Sequence, residues 1–323
     1  MDLVPEEPVT HAALDAFGLS GAVLTLIGSE WNHTYRVEAA DGESYALRLY
    51  RPAVRSDVQI GTELAWLDAL SGSHAVRVPR PMRTRDGELF ARVRGDGHDR
   101  RAAVSAWVFG EPLGDGPAPG LIERFGEGIA RLHEHGRTFR PPEGLQRWDS
   151  PFPQGGGASL FDGSNDDLIT RTQRALFERA ADATRDAIGH LEATGEPPRL
   201  VHGDLHQDNV LVDDQRDLWF LDFGDCMLAW PVQDLGVTMW EVAEDEATWP
   251  YRDTLRAGYE RIAPWPERWP GEISVFAADR GLIKLNDVMR EAAARGPEDV
   301  RASVQRHADA IGWFLSIPGS SNV

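Results

Sequence analysis

One stretch, residues 201–225, constrains this chain more than any other. It opens Val201-His202-Gly203-Asp204-Leu205-His206-Gln207-Asp208-Asn209 and continues through the apolar triplet Val210-Leu211-Val212. It closes with Leu218-Trp219-Phe220-Leu221-Asp222-Phe223-Gly224-Asp225. The turn-rich spacer Asp213-Asp214-Gln215-Arg216-Asp217 separates the two apolar runs, which predicts a β-hairpin. Such a hairpin carries Asn209, just before its first strand, to the side of Asp222, just after its second. Asp204 lies in the loop that feeds them. Paired oxygen donors of this kind suit a hard cation such as Mg²⁺, whose other ligands are commonly water and phosphate. A further carboxylate nearby can orient a hydroxyl and accept its proton. Asp, Asn and Gly also populate ordinary turns, but their order around a single hairpin points to chemistry.

The flanks divide by pattern. In the first hundred residues the runs read as strands: Ala22–Ile27, Thr34–Glu38, Tyr45–Tyr50 after the turn Asp41-Gly42, then Glu88–Val93 and Ala102–Phe109. Between them Ser56 and Asp57 offer an N-cap for a helix bearing Ile60, Leu64, Leu67 and Leu70. Gly110–Gly120 is rich in Gly and Pro and reads as a linker. Beyond it the period turns helical, through Leu121, Phe125, Ile129 and Leu132, through Asp166–Leu191, and through Val304, Ala308, Ile311 and Leu315. Gly155–Gly157 reads as a connecting loop. The fold class that follows is α+β, a β-rich N-terminal part with one helix and a mostly helical C-terminal part, divided as 1–106 and 107–323.

Composition removes several alternatives. The chain has 323 residues, with 33 Lys+Arg against 52 Asp+Glu, a formal charge of −19. That excess opposes broad binding of a nucleic-acid backbone. Cys226 is the only cysteine, so neither an intrachain disulfide nor a cysteine-based zinc cluster is available. The longest uncharged runs, Ala16–Ser29 and Ala310–Val323, are too short to span a bilayer, and the opening Met-Asp-Leu-Val-Pro-Glu-Glu is not a secretion signal. The expectation is a cytoplasmic protein without membrane or nucleic-acid partners. Its oligomeric state is not legible.

With those residues in view, the chain resembles the aminoglycoside phosphotransferase and choline kinase family, which has a protein-kinase-like bilobal fold. The resemblance rests on His202–Asn209, on Leu221–Asp225, on Val232-Gln233-Asp234-Leu235-Gly236, and more loosely on 28–37 and on Tyr45–Pro52. It implies an ATP- and Mg²⁺-dependent transfer of the γ-phosphoryl group to a hydroxyl. It further implies that Asp204 is the catalytic base, that Asn209 and Asp222 bind the metal, and that His202 braces the loop. Asp225 stands at a second acidic position, and His206 receives no role. Asp234 reads either as a helix N-cap or, by resemblance, as a brace for the catalytic loop.

On the nucleotide side, a kinase of this fold places a cation on its third strand and pairs it with a helix glutamate. Here the strand offers Arg48 and the helix offers Glu63. A carboxylate so near an apolar face calls for a partner, although Glu63 at the edge of that face could also reach solvent. The loop after the first strand holds only Gly28, so phosphate contact there falls to backbone near Ser29 and Glu30. Trp107–Gly110, with Trp107 and Phe109, lies where the family's hinge meets adenine, and equally reads as a buried strand end.

For the acceptor, Glu241, Glu244, Asp245 and Glu246 lie between Trp240 and Trp249. They form either a solvated charge run or a surface for an ammonium group. Three functions follow from different classes. The first is a kinase for a small molecule such as an amino alcohol, aminosugar or hydroxy-amino acid. The second is a protein Ser/Thr kinase of the bacterial stress-response type, and the third is a nucleotide-binding pseudokinase. Only Asp225–Gln233 separate Gly224 from Asp234, without Ser, Thr or Tyr, which leaves little chain for a peptide-docking segment and favours the first.

Overall fold

Ser56 and Gln59 decide where the first long helix begins. The Ser56 hydroxyl accepts the Gln59 N–H while the Gln59 side chain accepts the Ser56 N–H at 2.9 Å, a reciprocal cap. The helix then buries Ile60, Glu63, Leu64, Leu67 and Leu70. It belongs to a computed structural model that describes residues 7–29, 32–52, 54–95, 98–114, 118–152, 159–242 and 251–320. Its elements, in chain order, are α1 (Glu7–Phe17), β1 (Val23–Gly28), β2 (His33–Glu38), β3 (Ser44–Leu49), α2 (Asp57–Ser73), β4 (Pro81–Met82), β5 (Ala91–Gly95), β6 (His98–Ala106), β7 (Glu111–Pro112) and α3 (Pro119–Thr138). There follow α4 (Arg171–Ala193), β8 (Arg199–Val201), β9 (Val210–Val212), β10 (Leu218–Phe220), β11 (Met227–Ala229), α5 (Pro231–Val242), α6 (Tyr251–Tyr259), α7 (Glu272–Arg290), α8 (Ala292–Arg295) and α9 (Pro297–Ser316).

The chain divides into two compact units. One comprises Met1–Pro112, Pro141–Leu145 and Val210–Gly224, and the other Leu113–Arg140, Gln146–Asn209 and Asp225–Val323.

The first unit is built on an antiparallel sheet ordered β1-β2-β3-β6-β4, with β5 on β6. Side chains alternate along β3, so Leu47 and Leu49 enter a core with Tyr35, Val37, Val93, Ala102 and Val104. Arg48, between them, points to the opposite face. The core is completed by Val9, Ala13, Leu14 and Phe17. These lie on α1, a second helix before the first strand that the reading of a β-rich part with one helix did not include, and its residues recur at helical rather than alternating spacing. The hairpin is present, with Val212 opposite Leu218 and Val210 opposite Phe220. The supposed linker begins as a strand: β7 pairs with β9, Glu111 opposite Val212 and Pro112 opposite Leu211.

The second unit is helical apart from β8 and β11, which pair antiparallel through Val201 and Met227. On α3 the buried stripe is Ile122, Phe125, Ile129 and Leu132. A Cβ on Gly258 of α6 would fall 1.8 Å from the Glu123 carbonyl oxygen, so glycine permits α6 to lie directly on α3. On α9 Val304, Ala308 and Ile311 are buried as their spacing requires, and Phe314 rather than Leu315 completes the stripe. Most of α7 is buried, Glu272–Leu282 without interruption. Among the described residues no helix is long and apolar enough to cross a membrane.

Candidate active site

Three residues on one face of α5 hold the loop that contains Asp204. Asp234, Thr238 and Glu241 are spaced three and four apart and so share a helical face. The Gly203 N–H donates to Asp234 Oδ1 at 2.7 Å and the His202 N–H to its Oδ2 at 3.3 Å. The Thr238 hydroxyl donates to the Leu205 carbonyl at 2.7 Å, and Gln207 Nε2 to the Glu241 carbonyl at 3.0 Å. Asp234 is thus in the first turn of α5 and braces the loop; it does not cap the helix. Behind it His133 Nε2 lies 3.0 Å from Oδ2, and His133 Nδ1 lies 2.9 Å from the Tyr259 hydroxyl. Burial alone would raise the Asp234 carboxyl, but its bond to His133 and the nearby imidazole and backbone donors outweigh burial and hold it below its ordinary value.

Gly203 makes the bend possible. Its φ is +81°, and a Cβ there would stand 2.3 Å from the Asp225 carbonyl oxygen.

Asp204 is the centre of this group of contacts. Asn209 Nδ2 donates to the Asp204 carbonyl at 2.7 Å and approaches Asp204 Oδ2 at 3.4 Å. With its amide nitrogen so committed, Asn209 Oδ1 is the atom left to ligate a cation. His206 Nε2 is 3.8 Å from Asp204 Oδ2 and 3.2 Å from Asn209 Nδ2, which places His206 beside both. Arg280 of α7 donates from Nη2 to Asp204 Oδ1. Burial would raise the Asp204 carboxyl, yet the Arg280 guanidinium, followed by His206 and His202, holds it well below the usual carboxylate range. Asp204 is therefore an anion that carries no proton of its own at neutral pH.

The first unit, taken by itself, holds its own group of charged side chains. Arg48 Nη1 donates to Glu63 Oε1 at 3.0 Å and reaches Asp222 Oδ1 at 3.1 Å. Glu63 is buried, and its Oε2 accepts from the Tyr50 hydroxyl at 3.1 Å. The Arg48–Glu63 pair is thus present, and the solvent-facing alternative for Glu63 is not what the chain adopts. Burial disfavours the charge on Arg48, but Asp222 and Glu63 outweigh it and keep the guanidinium protonated. Burial pushes the Glu63 carboxyl above its ordinary value, with Arg48 offsetting only part of that shift. Asp222 is half exposed and adopts a left-handed φ of +54°, uncommon outside glycine but tolerated by aspartate. The Asp222 carboxylate and the Asn209 amide oxygen are each of the hard donor type that Mg²⁺ accepts.

The remaining nucleotide candidates are placed as follows. Ser29 is exposed and its carbonyl accepts from Arg51 Nη2 at 2.5 Å. Glu30 lies outside the described residues. The Trp107 N–H is committed to the Ser44 carbonyl at 3.1 Å, as in a continuing sheet. Phe109 is exposed, and the Arg36 guanidinium sits 5.4 Å from the Trp107 ring and 5.5 Å from the Phe109 ring. In the acidic stretch Glu244, Asp245 and Glu246 lie outside the described residues, as does Gly155–Gly157. Glu241 is described, and its side chain pairs with Lys284 at 2.6 Å.

Reading the sequence alone missed Arg280, Lys284, Thr238 and His133. For the first two a signal existed: two cations four residues apart in a largely apolar stretch of an acidic chain. His133 had none, since its spacing within the apolar stripe of α3 is that of an ordinary core residue.

Known proteins resemble this chain in sequence and fold. The profile of the phosphotransferase enzyme family, APH, matches residues 23–270. A homoserine kinase of Pseudomonas aeruginosa is 29% identical over 270 residues, covering 80% of this chain and 78% of its own. A serine/threonine protein kinase of Salmonella typhimurium is 27% identical over 273 residues, covering 83% and 77%. Among solved structures, a microcompartment-associated aminopropanol kinase superposes with a TM-score of 0.79 at 24% identity over 95% of both chains, which establishes a common fold. With the family profile spanning both the β-rich part and the loop of Asp204, the chain belongs to the APH phosphotransferase enzyme family.

Proposed function

We propose that this kinase transfers the γ-phosphoryl group of ATP to a hydroxyl of a small molecule, with Asp204 as base and Asn209 and Asp222 as the residues that would hold Mg²⁺. The observation that carries the reading is the state of Asp204: an ionised carboxylate on a loop pinned by Asp234 and Thr238, with Asn209 tied to the same residue. An acceptor hydroxyl donates to such a carboxylate and is oriented by it. Its oxygen forms the new bond to the γ-phosphorus while the bond from that phosphorus to the β–γ bridging oxygen breaks. The hydroxyl proton passes to Asp204, and ADP is the leaving group. Arg48 adds positive charge toward the phosphates, held in place by Glu63. When bound, Mg²⁺ supplies neutralisation of the phosphate charge. Ser29, Trp107 and Phe109 are assigned to the nucleotide in the same reading.

Two substitutions test it. Asp204→Asn retains ATP binding and loses about 100- to 1,000-fold in turnover, the scale of a positioned general base. Asp222→Ala loses the metal dependence of nucleotide binding. Unchanged turnover in Asp204→Asn overturns the assignment. ADP release screened over amino alcohols, aminosugars, aminoglycosides and hydroxy-amino acids then identifies the acceptor.

A protein acceptor is the second reading, favoured by similarity to the Salmonella typhimurium protein kinase. Against it stands the short stretch Asp225–Gln233, which has no hydroxyl side chain for a phosphate switch. Stoichiometric Ser/Thr phosphorylation of specific proteins in an extract, with no metabolite turned over, would reverse the choice.

A further inference from the structure

Asp204 and three charged side chains beside it form a chain that alternates in sign. Arg280 donates to Asp204, lies 3.8 Å from Glu241 Oε1, and that same oxygen lies 2.6 Å from Lys284 Nζ. Arg280 and Lys284 are one turn apart on α7 and share a face. Arg280 and Glu241 are largely buried, their side chains 11% and 19% exposed, while Lys284 is 38% exposed. Arg280 Nε is buried and has no hydrogen-bond partner among the described residues. A guanidinium with an unused N–H beside the catalytic carboxylate is suited to a planar anion.

We infer that this quartet recognises a zwitterionic acceptor, a hydroxy-amino acid, whose carboxylate is taken by Arg280 and Lys284 and whose ammonium is taken by Glu241. The inference rests on the small-molecule reading above and narrows its acceptor. The quartet carries two positive and two negative groups, so a zwitterion enters without changing the local charge. An amino alcohol brings a lone cation to two fixed cations and leaves Arg280 without a new acceptor. A hydroxy acid brings a lone anion against Asp204 and Glu241. Each is therefore the poorer ligand, because a buried charged group stays unpaired. Arg280 also holds Asp204 Oδ1, so the acceptor hydroxyl donates to Oδ2, which Asn209 Nδ2 approaches only at 3.4 Å, and lies beside the carboxylate-binding guanidinium.

The test measures ADP release with L-serine, L-homoserine and longer hydroxy-amino acids. Each is set against the amino alcohol left by removing its carboxylate and the hydroxy acid left by removing its amine. The expected result is a kcat/KM for at least one hydroxy-amino acid about 10- to 100-fold above both counterparts, the scale of a charge-assisted hydrogen bond. Lys284→Met lowers that preference about tenfold, chiefly through KM, and Lys284→Arg restores it. An ion-pair network serving only to join α5 to α7 would move the unfolding midpoint and leave the preference where it was. Counterparts used as well as the amino acids, turnover confined to aminosugars, or an unaltered preference in Lys284→Met overturns the inference while leaving a small-molecule kinase. Phosphorylation of proteins with no small alcohol turned over overturns the underlying reading and the inference with it.

Discussion

The backbone N–H of Gly203 donates to Asp234 Oδ1 at 2.7 Å, across a separation of 31 residues. One buried carboxylate thereby fixes the loop that carries Asp204 to the start of α5. The same carboxylate satisfies His133, so loop, helix and core share one acceptor.

Asp234→Ala removes all of these bonds and leaves the His202 and Gly203 N–H groups and His133 without their acceptor. We expect a loss of about 3–5 kcal/mol in urea unfolding, the scale for breaking one side of a buried polar pair. Turnover falls further than the unfolded fraction explains, because the loop loses its anchor. A variant with wild-type stability would show that the brace is dispensable.

Gly203→Ala tests the bend itself. The left-handed φ and the Asp225 carbonyl both exclude a Cβ. The expected cost is at least about 2 kcal/mol, with turnover reduced in the folded fraction. An alanine variant that retained wild-type stability and kcat would mean that the loop adopts another backbone path.

Arg48 and Glu63 separate stability from nucleotide binding. Arg48→Met leaves Glu63 buried without its cation and costs about 3–5 kcal/mol. Arg48→Met with Glu63→Leu recovers most of that loss, since a buried ion pair exchanged for apolar groups is often neutral. The double variant nevertheless keeps a raised KM for ATP, because the charge that Arg48 adds toward the phosphates is gone. Recovery of both stability and KM would make the pair purely structural.

Asp279, on α7 beside Arg280, gives a pH dependence. Burial raises its carboxyl to about 7, offset only in part by the Trp148 indole N–H, which donates to Oδ2 at 3.0 Å. In the unfolded chain the same group titrates near 3.8. Between those values the unfolded chain has released a proton that the folded chain keeps, so stability declines as pH rises from about 4 to about 7. Above that range the full penalty applies, on the order of 4 kcal/mol. Asp279→Asn retains an acceptor for Trp148 and is uncharged, so its stability curve flattens across that window. Unfolding midpoints from pH 4 to pH 8 decide it, and parallel curves for the two proteins would refute the assignment.

What the sequence determined by itself is what short-range chemistry controls. The cap at Ser56 and Gln59, the β9–β10 hairpin around its turn-rich spacer, and the alternation that buries Leu47 and Leu49 while freeing Arg48 all depend on residues a few positions apart. So does the order Asp204, Asn209, Asp222. The tertiary structure decided the partners. Arg280 reaches Asp204 across 76 residues, and His133 reaches Asp234 across 101. The hairpin clusters with the first unit although most of the chain that flanks it belongs to the second. α1 is a helix because its apolar residues complete the core under the sheet. Each of these depends on which surfaces meet when helices and sheet bury their apolar faces. A buried charge takes whatever opposite charge that packing brings to it, and no local spacing encodes which one that is.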